Sequence, residues 1–185
     1  MSAAEVSLAS CPADVVELAA LRSAGEALHK VAASRGTTLP ECGAVACGGN
    51  GLVLSVRPAR WLLLSVPLAP GAAALGWGSA AAGCAAAVDL SSGLVALRLA
   101  GPAACEALAR GCRLDLAQFA PGRAAATSIA QVSTILAALP SGMLILTPAS
   151  TAQHLREWLA EAARPFAFAL EAELTLTALS GDRNP

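Results

Sequence analysis

Tyrosine is absent, histidine occurs twice, and aromatic residues make up only 3% of the 185-residue chain. A hydrolytic triad needs a nucleophile, a base and an orienting acid in one place, and two histidines leave little to build one from. Charge is scarce as well: Asp, Glu, Lys and Arg together are 14% of the residues, against about 25% in an ordinary globular domain. With 12 basic and 13 acidic side chains the net charge is −1, so the chain offers no positive field for nucleic acid or an anionic membrane surface. There is no Cys-x-x-Cys, and the pairs Cys42/Cys47 and Cys105/Cys112 lack the spacing of a zinc site. No Gly-x-Gly-x-x-Gly follows a strand, and no Lys-Ser/Thr follows the glycine run 48–51. That run is therefore read as a tight hairpin turn rather than a phosphate loop.

What the chain does contain is apolar. It is 56% hydrophobic with a mean hydropathy of +0.61, much of it from 46 alanines. Disorder is excluded by this composition. So few charges cannot cover a globule, and a permanent protein interface is expected, with an alanine-rich monomer surface as the alternative. No charge occurs between Arg60 and Asp89 or between Arg123 and Arg156. Neither gap reads as a membrane span, because Pro67, Pro70, Gly71, Gly76, Gly78 and Gly83 interrupt the first and Pro140, Ser141 and Gly142 the second. The N-terminus has no early basic residue and no apolar core, and Leu8-Ala9-Ser10-Cys11 lacks the hydrophobic segment of a lipoprotein signal. A cytoplasmic protein with its cysteines as small buried hydrophobes is expected.

Periodicity predicts the elements. Residues 10–34 read as a helix, with Ser10 as N-cap, Pro12 in its first turn, Leu18, Leu21, Leu28 and Val31 on one face, and Gly36 as its end. Strands follow at Ala44–Cys47, Leu52–Val56 and Trp61–Val66, then a helix over Pro70–Ala87 with a frayed middle. Leu94–Leu99 alternates as a half-exposed strand, with Arg98 opposite Leu97 and Leu99. Gly101 as N-cap, Pro102 at the first helical position, Cys105 and Leu108 as the apolar side and Gly111 at the end describe a short helix. Ala124–Leu139 and Met143–Thr147 read as a hairpin. A helix capped by Ser150 buries Leu155, Trp158, Leu159 and Ala162, and Phe166–Ala178 alternates as a last strand or strand pair ahead of a loose tail from Ser180. The fold class is α+β, a layered antiparallel or mixed sheet with packed helices, rather than a doubly wound sheet. Residues 1–36 are set apart as an N-terminal helical segment from a domain over 37–185.

Few side chains suggest chemistry. His29 and His154 read as solvated helix residues. Asp89, with Ser91 and Gly93 after it, has the pattern of a side-chain-capped turn, and a catalytic acid is the competing reading. Asp115 stands at a comparable boundary.

The segment Asp89-Leu-Ser-Ser-Gly-Leu-Val-Ala-Leu-Arg-Leu-Ala-Gly-Pro-Ala-Ala104, with Leu108–Leu116 and Pro121-Gly-Arg-Ala-Ala-Ala-Thr127, resembles the gamma subunit of heterotetrameric sarcosine oxidase. Leu54–Leu64, carrying Trp61, and Leu155–Leu159, carrying Trp158, extend the resemblance over about residues 37–166. That family is similar in turn to the glycine-cleavage T-protein and other folate-binding aminomethyltransferases, whose Asp-x-Ser and Leu-x-Gly-Pro-x-Ala elements Asp89, Ser91, Gly101 and Pro102 match. The segment from Gly122 and Arg123 to Thr127 runs on without the acid or the tyrosine those transferases carry, Ala124–Ala126 replaces a more varied stretch, and Ala44 stands in a more polar linker. The family motif residues are thus Trp61, Asp89, Ser91, Gly101, Pro102, Asp115, Gly122, Arg123, Thr127 and Trp158.

The resemblance implies a T-protein-like folate-binding fold and a small accessory subunit of a flavin-dependent oxidase that demethylates sarcosine to glycine with tetrahydrofolate as acceptor. It implies no catalytic, cofactor or metal residue in this chain. FAD, FMN, NAD and tetrahydrofolate would sit in the alpha and beta subunits and zinc in a delta subunit, all of them partners here. A stand-alone folate-binding aminomethyltransferase-like or iron–sulfur maintenance protein of the same superfold is the alternative, and a membrane-associated module is a third.

Overall fold

The computed structural model describes residues 4–48 and 51–179. The glycine turn expected at 48–51 therefore lies partly, and the tail from Ser180 wholly, outside the described residues.

Strand β1 (Val6–Ser10) is followed by β2 (Asp14–Ala20), helix α1 (Gly25–Ser34), then β3 (Ala44–Gly48), β4 (Gly51–Arg57) and β5 (Arg60–Ser65). Helix α2 (Ala72–Ala80) precedes β6 (Ala85–Asp89) and β7 (Leu94–Ala100), and α3 (Ala104–Ala109) leads to β8 (Ala124–Ile129), β9 (Val132–Leu139) and β10 (Gly142–Pro148). A 3-10 turn at Ala149–Thr151, α4 (Ala152–Ala162), β11 (Phe168–Leu170) and α5 (Leu176–Leu179) complete the described chain. The strands form two sheets, ordered β11-β1-β7-β10-β9-β8 and β3-β4-β5-β2-β6. All described pairings are antiparallel except β1 with β11.

The sheets are stacked with helices outside each, giving four layers. Val15, Leu52, Leu54, Leu62 and Leu64 of the second sheet meet Ala96, Ala137, Leu139, Leu144 and Leu146 of the first in the inner layer. Leu97, Leu99, Met143 and Ile145 turn the other way, onto Leu108 of α3 and Leu155 and Leu159 of α4. Val16, Leu18, Val53 and Leu63 likewise face Leu28 and Ala32 of α1. Successive strand residues point to opposite faces, so burying both faces of a sheet requires unbroken apolar runs. Leu62-Leu63-Leu64 and Leu144-Ile145-Leu146 are such runs, and each residue is buried. The α+β layered expectation is met.

Several local expectations are corrected. Residues 10–34 are not one helix, and 1–36 is not a helical segment: β1 joins the first sheet, the chain crosses at Cys11–Ala13, and β2 lies between β5 and β6 in the second. Val15 faces the inner layer while Val16 and Leu18 face the outer one, so the two-residue period is masked and the leftover spacing imitates a helix. Gly25 is the first residue of α1, not an interruption, and Gly36 does end it with φ +67. The Pro70–Ala87 helix shrinks to α2, which includes Gly76 and Gly78; Ala85–Asp89 is drawn into the sheet by its ladder with β2 despite alanine's weak strand preference.

Gly101 is no N-cap. It sits at φ +110, and a Cβ there would collide with the Glu5 carbonyl. Ala103 precedes the helix instead, Pro102 lies outside it, and Cys105 is exposed while Ala104, Ala107 and Leu108 are buried. Ser150 belongs to the 3-10 turn and caps nothing. Ala124–Leu139 is itself a hairpin, because Ala130 and Gln131 take φ +49 and +66. That turn geometry ordinarily announces itself by Asn or Gly, so the sequence hid it. The last strand stops at Leu170; the segment after it hangs on β1 through the Glu171 N–H to Leu8 O (2.9 Å) and the Leu174 N–H to Ser10 O (2.9 Å). Leu176 and Leu179, three apart, form one helical turn buried against the inner layer.

Backbone crowding separates two glycines experimentally. Gly142 has φ +127, and a Cβ would lie 2.6 Å from Leu99 O, whereas a Cβ on Gly36 meets open space. Gly142→Ala is expected to destabilise the chain by about 2–4 kcal/mol and Gly36→Ala by about 1 kcal/mol, as read by urea unfolding.

Candidate functional site

The motif residues lie at separate places in the fold. Asp89 is exposed at the end of β6; its Oδ1 accepts hydrogen bonds from the Ser91 N–H (2.9 Å) and the Ser91 hydroxyl (2.6 Å). Ser91 Oγ accepts in turn from the Val15 N–H (3.0 Å), and the Leu90 N–H donates to Val15 O (2.8 Å). The capped-turn reading holds: this turn carries the chain from the second sheet back to the first. The Ser91 hydroxyl, and after it the Ser91 N–H, hold the Asp89 carboxyl below its ordinary pKa. An ionised surface carboxylate of this kind is poorly suited to act as a general acid.

Asp115 fastens the loop after α3, accepting from the Ala117 N–H (3.1 Å) and Gln118 Nε2 (2.8 Å). Gly122, at φ +93, and Arg123 make the corner where the sheets join: the Val45 N–H donates to Gly122 O (2.9 Å), the Ala124 N–H to Gly43 O (2.9 Å), and Arg123 bridges Ala44. Thr127 pairs across β8 and β9 with Thr134, whose buried hydroxyl has no hydrogen-bond partner. Trp61 Nε1 donates to Pro40 O (2.8 Å), and His29 meets the ring edge-on at 5.7 Å. Trp158 lies so close over Gly111 that no Cβ would fit there. His154 is exposed on α4.

Two features escaped the sequence reading. One end of the inner layer opens into a cleft of about 190 Å³ lined by Leu54, Val56, Leu62, Leu90, Leu94 and Ile135, with the Glu17–Arg60 ion pair (2.5 Å) at its mouth. Glu17 sits in a strand misread as helix, so its direction could not be foreseen. The other is Arg156, whose Nη2 donates to Ser10 Oγ (2.8 Å) while its buried Nε has no partner. The alternation of β1 against α4 creates that contact over 146 residues of sequence. Among the described residues no group of three or more His, Cys, Asp or Glu side chains could hold a metal, and no helix is long and apolar enough to cross a membrane.

Two stacked sheets between helices, with β1 inserted beside β7, define the class of fold. It is the fold of a glycine cleavage system aminomethyltransferase T from Bartonella henselae, matched with a TM-score of 0.66 at 17% identity. The match covers 92% of this chain and 48% of that one, so this chain spans about half that protein's length. A nearer likeness is to a chain of the heterotetrameric sarcosine oxidase from Corynebacterium sp. U-96, whose structure holds pyrrole 2-carboxylate: TM-score 0.74, 26% identity, 91% of this chain and 89% of that chain. The resemblance read from the motifs is thereby shown, over more of the chain than residues 37–166. No family model and no curated protein sequence matches the chain.

Two titrations follow. Ser91→Ala is expected to move the Asp89 carboxyl up toward the ordinary range in a carboxyl NMR titration. A lowered carboxyl pKa stabilises the fold above the ordinary value and loses that contribution as pH falls, so the variant should also show a weaker loss of stability in acid. Burial raises the Cys11 thiol from 9.0 to about 11, only partly opposed by the charge and N–H of Arg98. A raised thiol pKa contributes fully below about 9 and fades as pH climbs to about 11. Iodoacetamide at pH 8 should label exposed Cys42 and Cys105 in the native chain and Cys11 only after unfolding.

Proposed function

We propose that this chain is the gamma-type, non-catalytic subunit of a sarcosine oxidase-type heterotetramer, and that it serves assembly. The observation that carries the reading is the whole-chain match: 89% of a chain of that oxidase is covered at 26% identity, with Asp89, Ser91, Asp115, Gly122 and Arg123 given over to turns and corners. Its partners in this reading are the alpha and beta subunits and a zinc-containing delta subunit. Those chains hold FAD, FMN, NAD and tetrahydrofolate and carry out the oxidative demethylation of sarcosine to glycine in the cytoplasm. This chain contributes to the complex without touching the reacting atoms.

The stand-alone folate-binding alternative finds less support. This chain spans about half the length of the aminomethyltransferase T whose fold it shares. Co-expression with the alpha, beta and delta chains tests the proposal. The full set is expected to yield one flavin-coloured complex that makes peroxide from sarcosine. Leaving this chain out should cost the assembled complex, and the chain alone should neither oxidise sarcosine nor bind tetrahydrofolate saturably. Activity or saturable folate binding by the isolated chain would overturn it.

A further inference from the structure

Helix α2, Ala-Ala-Ala-Leu-Gly-Trp-Gly-Ser-Ala, has no charged residue and only Ser79 as a polar side chain, yet none of its residues is buried. A helix apolar on every side is ordinarily enclosed on every side. Here Ala73, Ala74 and Trp77 rest partly on the outer core, and Gly78 lies against Ala87. The opposite side is open, with Leu75 73% exposed. Beneath α2 runs β6, an edge strand. The Leu21 N–H donates to Cys84 O and the Leu90 N–H to Val15 O, so Cys84, Ala86, Val88 and Leu90 direct their backbone groups at β2. Ala85, Ala87 and Asp89 then direct theirs outward, by the alternation of an antiparallel ladder. Ala81 O takes the Ala85 N–H. Those of Ala87 and Asp89 face a side that no described strand pairs with. Val88, 48% exposed, flanks this edge on the face away from α2, and Leu68, 61% exposed, lies near its end.

The charge pattern identifies what fits. From residue 61 to residue 88 there is no charge at all; the carboxylate of Asp89 marks one end of the strand. Arg35, from the end of α1, lies over the Trp77 ring at 4.7 Å, but interfacial helices hold anionic headgroups with rows of Lys and Arg, so a lipid surface is a poor match. We infer that the β6 edge and the open side of α2 receive an extended, uncharged aliphatic segment of a larger partner subunit, added as a further strand, with a Lys or Arg of that segment meeting Asp89. The mode is strand addition, in which backbone bonds supply affinity and flanking pockets supply specificity. This rests on the heterotetramer reading above and names the surface that reading leaves unassigned.

The test is made on the co-expressed complex, with Leu75→Glu on this face and Leu170→Glu, equally exposed at 74% on the first sheet, as the control. Leu75→Glu is expected to lower recovery of the large subunits about tenfold or more, and Leu170→Glu to leave it unchanged. Hydrogen exchange on the intact wild-type complex supplies a second reading: the Ala87 and Asp89 amides should be protected, while the amide of exposed Ala59 in the β4–β5 turn exchanges freely. Assembly of Leu75→Glu at wild-type level, or free exchange at Ala87 and Asp89, overturns the surface and leaves the heterotetramer standing. A wild-type chain that pairs only with itself through this edge overturns the surface as described, and failure of the wild-type chain to join the oxidase chains at all overturns both.

Discussion

Burial of both faces of both sheets is the constraint on which this structure depends. The inner layer joins Leu52, Leu54, Leu62 and Leu64 to Leu144 and Leu146 across the two sheets, and each fully buried side chain of this size contributes roughly 1.5–3 kcal/mol. Two crossings make the layer possible, one at Cys11–Ala13 and one at the Asp89–Ser91 turn. α5 closes the layer with Leu176 and Leu179, anchored where the Ser141 hydroxyl donates to Leu179 O (3.1 Å). At the other end the Glu17–Arg60 pair stands over the apolar cleft.

Polar side chains are spent on holding this sandwich together. Asp89 and Ser91 secure a crossing, Asp115 a loop, Trp61 the segment around Pro40, and Arg98 ties the Ser141 carbonyl (2.9 Å) and Glu171 (3.2 Å) to the centre of the first sheet. A reaction centre gathers such groups around one cavity; these are distributed among turns and strands of both sheets. That distribution, together with the similarity along nearly its whole length to a chain of a heterotetrameric sarcosine oxidase, is what the proposal of an architectural part rests on.

Charge scarcity acquires a location in the folded chain. Ala96, Ala124 and Ala137 lie in the inner layer and Ala104, Ala107, Ala138 and Ala163 in the layer under α3 and α4, where small side chains let the layers approach. A further group, Ala72, Ala73, Ala74 and Ala80 of α2 and Ala85, Ala86 and Ala87 of β6, is gathered at the rim of the second sheet. Leu75 and Val88 are exposed at that rim, while Leu170 is exposed at the edge of the first sheet; an apolar patch gathered at one rim gives a partner one orientation in which to dock.

Much of this was legible in the residues alone. The strands around Leu52–Val56, Trp61–Leu64 and Leu94–Leu99, the buried stripe of α4, the Asp89–Ser91 turn and the layered class all follow from local patterns, because side-chain periodicity and turn chemistry act over a few neighbours. The two N-terminal strands, the second hairpin at Ala130–Gln131, the role of Gly101 against Glu5, the contact of Arg156 with Ser10 and the shared edge of α2 and β6 do not. Each depends on a segment distant in sequence: β2 became a strand because β5 and β6 offered it ladders, and Gly101 was required because another backbone passes beside it. Local preference sets what a segment can become, and only the packing of remote segments decided which faces were buried and which edge was left open.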